Sequence, residues 1–217
     1  MKAVIFDMDG VLVDSEPIHF EVDKRVMSKC GVDISDDVLN DYVGISNPEM
    51  WIDLKRKYSL KESVDELLRC QSGMKIQVLN SIEIEPIPGI RELLDDLFGN
   101  RVVMGIASSS PRFFIEAVID KFGIRHYFKT VMSGEEVKRG KPEPDLFLRT
   151  AELMQVAPEE CVVIEDSGHG VKAALSAGMH CIGFINPNSG RQDLSNASFI
   201  VNNIYKLNYT VIQSLGK

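Results

Sequence analysis

The stretch VIFDMDGVLVDSEP, residues 4–17, decides how this chain is read. It opens as a run of β-branched and aromatic residues too short for a helix. With Gly10 following, Ala3–Met8 is expected to be a buried strand that ends in a turn. Yet Asp7, Asp9 and Asp14 stand where such a core strand should finish. Read alone, Asp-Met-Asp-Gly is equally an acidic turn or a set of reagents, so the rest of the chain must decide.

Beyond Asp14 the periodicity changes. Ile18, Val22, Val26 and Cys30 recur at every fourth position, which describes one apolar helix face, and Gly31 is placed to stop it. Asn47 before Pro48 reads as a helix N-cap, and Ser59-Leu60-Lys61-Glu62 has the spacing of a capping box. Residues 15–83 therefore read as wholly helical. Trp51, among Met50, Ile52 and Leu54, reads as part of that block's core.

The two prolines and the glycine of Glu85–Ile90 break the pattern, and the chain then alternates. Strands are expected at 101–107, 128–134, 161–165, 180–185 and 198–201. Amphipathic helices are expected at 90–98, after Ser110-Pro111, at 144–154, at 170–177 and at the C-terminus. Apolar strands alternating with amphipathic helices imply an α/β fold, a Rossmann-like parallel sheet with helices on both faces. Residues 1–14 and 84–217 form this core in the sequence reading, with 15–83 inserted after the first strand.

Ligands of an open parallel sheet bind beyond the carboxyl ends of its strands. This chain places Asp7 and Asp9 at one such end, Ser108-Ser109-Ser110 at a second, Lys141 in the loop after a third, and Glu165-Asp166 at a fourth. The carriers DMDGVLVDSEP, GIASSS (105–110), GKPEPDLF (140–147) and IEDSGHGVKAALSAGM (164–179), in that order, resemble the haloacid dehalogenase-like superfamily. The resemblance runs over the whole chain and is to the helical-cap branch, which holds β-phosphoglucomutase and the sugar-phosphate phosphatases.

The resemblance implies a mechanism. Asp7 would attack phosphorus and become an acyl phosphate, a role suited to a carboxylate because it is ionised at neutral pH without a base. Asp9 would protonate the leaving oxygen and then take a proton from water. Mg²⁺ would be held by Asp7, the backbone carbonyl of Asp9, and Asp166, with Glu165 either a further ligand or a support behind the ligands. Ser108, Ser109 and Lys141 would hold the phosphoryl oxygens. His19 aligns with a histidine of the mutase members that assists substrate contact, and otherwise reads as a helix-surface histidine. Residues 15–83 would be a cap closing over the site and selecting the substrate.

Within the superfamily, a dehalogenase would not need an acid two residues after the nucleophile, so Asp9 favours phosphoryl transfer. A mutase carries an arginine directly after a Gly-x-Ser in its cap. Here Gly44-Ile45-Ser46 is followed by Asn47, which removes that bidentate fork, although Lys55 or Arg56 could substitute for it. The expectation is a Mg²⁺-dependent phosphatase of small phosphorylated metabolites, with a phosphosugar mutase and a non-catalytic sugar-phosphate sensor as alternatives.

Composition agrees with a soluble globular protein. Of 217 residues 44% are hydrophobic and 26% charged, with a net charge of -8, which argues against a nucleic-acid surface. No apolar run approaches the roughly 20 residues of a membrane span. Cys30, Cys70, Cys161 and Cys181 lack metal-site or redox-motif spacing and read as free thiols in a reducing cytoplasm. The cap-bearing relatives imply a monomer.

Overall fold

The computed structural model describes residues 1–42 and 47–215. In chain order these form β1 (Ala3–Phe6), α1 (Glu16–Lys29), α2 (Asp36–Asn40), α3 (Asn47–Tyr58), α4 (Val64–Ser81), α5 (Ile90–Gly99) and β2 (Val103–Ser108). There follow α6 (Arg112–Lys121), β3 (Thr130–Ser133), α7 (Asp145–Met154), β4 (Cys161–Glu165), α8 (Gly168–Ser176), β5 (His180–Phe184), β6 (Phe199–Val201) and α9 (Tyr209–Leu215). The chain divides into two compact units, Met1–Asp14 with Glu85–Lys217, and Ser15–Ile84.

The first unit is a six-stranded sheet in the order β3-β2-β1-β4-β5-β6, with every pairing parallel. The chain winds outward from β1 through β2 to β3, then returns to the other side of β1 for β4. That reversal makes the β1/β4 edge the topological switch point, where an open sheet leaves a crevice at its carboxyl ends. Side chains alternate across β1. Ala3 and Ile5 join a core with Leu146, Phe147 and Met154 of α7 and Val171 and Ala174 of α8. Phe6 points to the opposite face, where it meets Phe128 edge-on at 5.9 Å. The apolar, β-branched character of β1 and β4 follows from burial on both faces, for every residue of both strands is buried.

The regular elements among the described residues of the second unit are all helices. Ile18, Val22, Val26 and Met27 of α1, Met50, Trp51 and Leu54 of α3, and Leu67, Met74 and Val78 of α4 are all buried. The sequence reading needs two adjustments. The capping box lies four residues later than expected, at Ser63 and Glu66, each side chain bonding the other's backbone N–H. Ser59 instead takes a left-handed conformation (φ 54°) that ends α3, and Lys55 Nζ closes the turn on the carbonyls of Leu60 and Glu62 at 2.7 and 2.6 Å. Asn47 is already helical and is not the residue before the helix. The expected Gly44-Ile45-Ser46 feature lies outside the described residues.

All four cysteines are free thiols. Among the described residues no helix is long and apolar enough to cross a membrane.

Candidate active site

Strand register gathers the site. Phe6 pairs with Ile106 on one side and Ile164 on the other, so Asp7, the next residue, comes level with Ala107 and Glu165. The Asp7 N–H donates to Ile164 O at 3.0 Å, carrying the ladder one step past β1. Gly10 then turns the chain with φ +78°, and a Cβ there would lie 1.9 Å from Asp166 Oδ2. A glycine is required for the first strand's turn to approach the second acidic pair this closely.

Lys141 ties these ends together. Its Nζ donates to Asp7 Oδ1 at 2.6 Å, Glu165 Oε1 at 2.7 Å and Ala107 O at 3.1 Å, and all three side chains are buried. Burial alone would lower the lysine's pKa, but the two carboxylates push it above its ordinary value. Asp7 is displaced upward, first by burial and then by Glu165, Asp166 and Asp9, against the pull of Lys141. Asp166 is pushed up to about 7 by burial and then by Glu165, with its hydrogen bond from Ser189 and the charge of Lys141 acting the other way.

Asp7, Glu165 and Asp166 each offer an oxygen, all within 4.8 Å of one another. Three buried carboxylates, Asp7, Glu165 and Asp166, surround the Lys141 ammonium, and Asp9 adds to the negative field at Asp7. An all-oxygen donor set with surplus negative charge fits a hard divalent cation such as Mg²⁺, which would stabilise these carboxylates in their ionised forms.

Glu165 has both oxygens engaged. Oε1 accepts from Lys141, and Oε2 accepts from the N–H and hydroxyl of Ser167 at 2.7 and 2.9 Å. Ser167 in turn caps α8, accepting from Gly170 N at 3.0 Å. A Cβ on Gly170 would lie 1.7 Å from Glu165 Oε1, so the helix approaches the carboxylate through a glycine. Helix α8 accordingly begins at Gly168, two residues before the start read from the sequence.

The serines at the end of β2 have a second role. Asp9 Oδ2 accepts from Ser108 Oγ at 3.1 Å and from Ser110 Oγ at 2.7 Å, while Ser108 Oγ accepts from Ser110 N at 3.0 Å. Pro111 holds the cap position of α6, and the Ser110 hydroxyl turns to Asp9. Ser108 is fully buried, and Ser109 is exposed at the same strand end. His19 is half-buried on α1 of the helical unit, where Asp23 is a charged neighbour. His169 is exposed. Lys55 is committed to the turn after α3, and Arg56 pairs with Asp53.

Sequence reasoning did not find Ser189, whose hydroxyl donates to Asp166 Oδ2, or Asn186, whose Nδ2 donates to Gly10 O at 3.0 Å. Both lie in the loop after β5, in a polar stretch that carries no recognisable spacing.

The profile of the haloacid dehalogenase-like hydrolases matches residues 4–184. The chain belongs to this family. Phosphorylated carbohydrates phosphatase of Thermotoga maritima is 35% identical over 182 residues, 84% of each chain. Hexitol phosphatase B of Escherichia coli is 35% identical over 184 residues, 83% of this chain and 82% of its own. A crystal structure of β-phosphoglucomutase from Clostridium difficile superposes with a TM-score of 0.78 at 28% identity, covering 100% of this chain and 97% of that one. This haloacid dehalogenase-like hydrolase is therefore an enzyme of the phosphatase and mutase branch.

Proposed function

We propose that the enzyme is a Mg²⁺-dependent phosphatase of small phosphorylated metabolites, sugar phosphates in class, and that Asp7 is its nucleophile. The observation that carries this reading is the buried Asp7–Lys141–Glu165 bridge, with Asp166 alongside and Asp9 held by two serines. Lys141 fixes Asp7 by Oδ1, which leaves Oδ2 to attack phosphorus in line with the departing oxygen. The P–O bond to the sugar breaks as the bond to Asp7 forms, and Asp9 gives a proton to the leaving alkoxide. Asp9 then takes a proton from the water that cleaves the acyl phosphate and returns Asp7. Asp7, the Asp9 carbonyl and Asp166 would hold Mg²⁺, which supplies charge neutralisation for an anionic nucleophile meeting an anionic ester. Glu165, occupied by Lys141 and Ser167, serves as the support that holds the lysine in place. Lys141, Ser108 and the Ser109 N–H would hold the phosphoryl oxygens.

The helical unit Ser15–Ile84 is assigned the choice of substrate, with His19 a contact residue. Phosphatase is favoured over mutase because Lys55 and Arg56, the cations that could replace the missing arginine fork, have partners already. A panel of sugar phosphates, scored for both orthophosphate and isomer in the presence of Mg²⁺, tests the reading. Orthophosphate release is expected, and Asp7→Asn should lower it by at least about 10³-fold. Conversion of β-glucose 1-phosphate to the 6-phosphate without matching orthophosphate would make the enzyme a mutase. Binding without turnover would make it a sensor.

A further inference from the structure

The loop after β5 forms a strap across three segments of the site. Asn186 is buried and organises the loop. Its Nδ2 donates to Gly10 O at 3.0 Å, and its Oδ1 accepts from Asn188 N at 2.9 Å. Asn188 Nδ2 donates to Asp14 Oδ2, at the far end of the first motif. Ser189 donates through Oγ to Asp166 Oδ2, and its N–H to Asn186 O at 3.3 Å. Gln192 completes the strap. Its Oε1 accepts from Gly168 N at the start of α8 (3.2 Å), and its Nε2 donates to Ser189 O at 2.9 Å.

Four of these bonds leave the loop: two reach the segment after β1 at Gly10 and Asp14, one reaches Asp166 after β4, and one reaches Gly168 at the start of α8, next to the proposed metal site. The space that a Cβ on Gly10 would need is filled jointly by the Asp166 carboxylate and Ser189 Oγ, the latter at 2.8 Å. The hydroxyl therefore sits between the two acidic motifs, and its donation to Oδ2 sets the plane of the Asp166 carboxylate. A donor on one oxygen leaves the other to face a cation, which is how an outer hydrogen bond orients a ligand.

We propose that Ser189 is a positioning residue for the divalent cation, acting through Asp166, and that Asn186 is the anchor that holds Ser189 in reach. The inference rests on the reading of Asp166 as a metal ligand given above. An alternative use of Ser189 as simple loop packing makes a different prediction. A packing residue affects the stability of the metal-free protein and leaves cation affinity alone.

The test measures Mg²⁺ binding directly, by calorimetric titration of the metal-free protein and by the rise in melting temperature on adding Mg²⁺. Ser189→Ala should weaken Mg²⁺ about tenfold, with a smaller Mg²⁺-dependent rise in melting temperature. Ser189→Thr, which keeps the hydroxyl, should restore both. Asn186→Ala should weaken Mg²⁺ in the same direction. Activity lost in Ser189→Ala should return as Mg²⁺ is raised. Wild-type affinity in Ser189→Ala, with only the metal-free melting temperature lowered, would overturn the proposal and leave the phosphatase reading standing. A wild-type protein that hydrolyses sugar phosphates but does not bind Mg²⁺ would overturn both the metal reading and this one.

Discussion

Among the described residues, charged side chains are buried in two places, and the two are balanced differently. At the carboxyl ends of β1 and β4, buried Asp7 and Glu165 share the Lys141 ammonium, and buried Asp166 stands beside them. In the helical unit, buried Asp23 accepts from Gln71 Nε2 at 2.7 Å, with His19 and Lys75 as attractive charges and Glu16 as a repulsive one. In the helical cluster a side-chain amide and neighbouring cations act on one buried carboxylate between α1 and α4, and burial still outweighs them. The strand-end cluster gathers three buried carboxylates around one lysine, and Asp7 and Asp166 are both held above their ordinary pKa. Several buried acids gathered on one lysine, rather than a single buried acid, mark the strand ends as the candidate site.

The comparison breaks most readily at Lys141. Lys141→Met leaves Asp7 and Glu165 buried without their ammonium, and this should cost about 3–5 kcal/mol of stability in Mg²⁺-free buffer. With Lys141 in its proposed role as a phosphoryl donor, the same variant should lower turnover by about 10²- to 10³-fold. Urea denaturation and orthophosphate release measure the two effects. An equally stable variant would mean that the strand-end acids are no more in deficit than Asp23.

The helical cluster gives a pH signature. Burial raises the Asp23 carboxyl from 3.8 to about 6, against the hydrogen bond from Gln71 and the charges of His19 and Lys75. Folded Asp23 thus binds its proton more tightly than the unfolded chain does. Its favourable contribution is complete below pH 3.8 and is lost as pH rises through about 6, a change of about 3 kcal/mol. Wild-type stability should therefore fall relative to Asp23→Asn between pH 4 and 7. A stability difference that stays constant over that interval would show that Asp23 is not raised.

A pair of glycines supplies the finest contrast. Gly170→Ala drives a Cβ into the Glu165 carboxylate and should cost about 1–3 kcal/mol and reduce turnover, because Glu165 holds Lys141. Gly73→Ala, on the exposed side of α4 with nothing within 4 Å of the new atom, should stabilise by about 0.5–1 kcal/mol through helix propensity. Melting curves of the two variants should shift in opposite directions.

How much was legible in advance depended on the range of the interaction. Strand β4 was read to the residue, because an apolar run bounded by turn signals reports double-sided burial. The stop of α1 before Gly31 was equally plain, for φ +79° there suits glycine. Ser59–Glu62, the pattern read as a capping box, is followed directly by a second Ser-x-x-Glu at Ser63–Glu66. The box fell on Ser63 once the left-handed Ser59 and the Lys55 bonds had closed the preceding turn. The bond from Ser110 to Asp9 spans 101 positions and left no local signal.

The order of apolar strands and amphipathic helices, the acids after β1 and β4, and Lys141 were all fixed by local pattern, because side-chain periodicity and turn chemistry act over a few residues. The tertiary structure alone decided that Glu165 braces Lys141, that Ser108 and Ser110 turn to Asp9, and that Ser189 reaches Asp166. Those hydrogen bonds join segments brought side by side only when the parallel strands pair, and no local propensity specifies their partners.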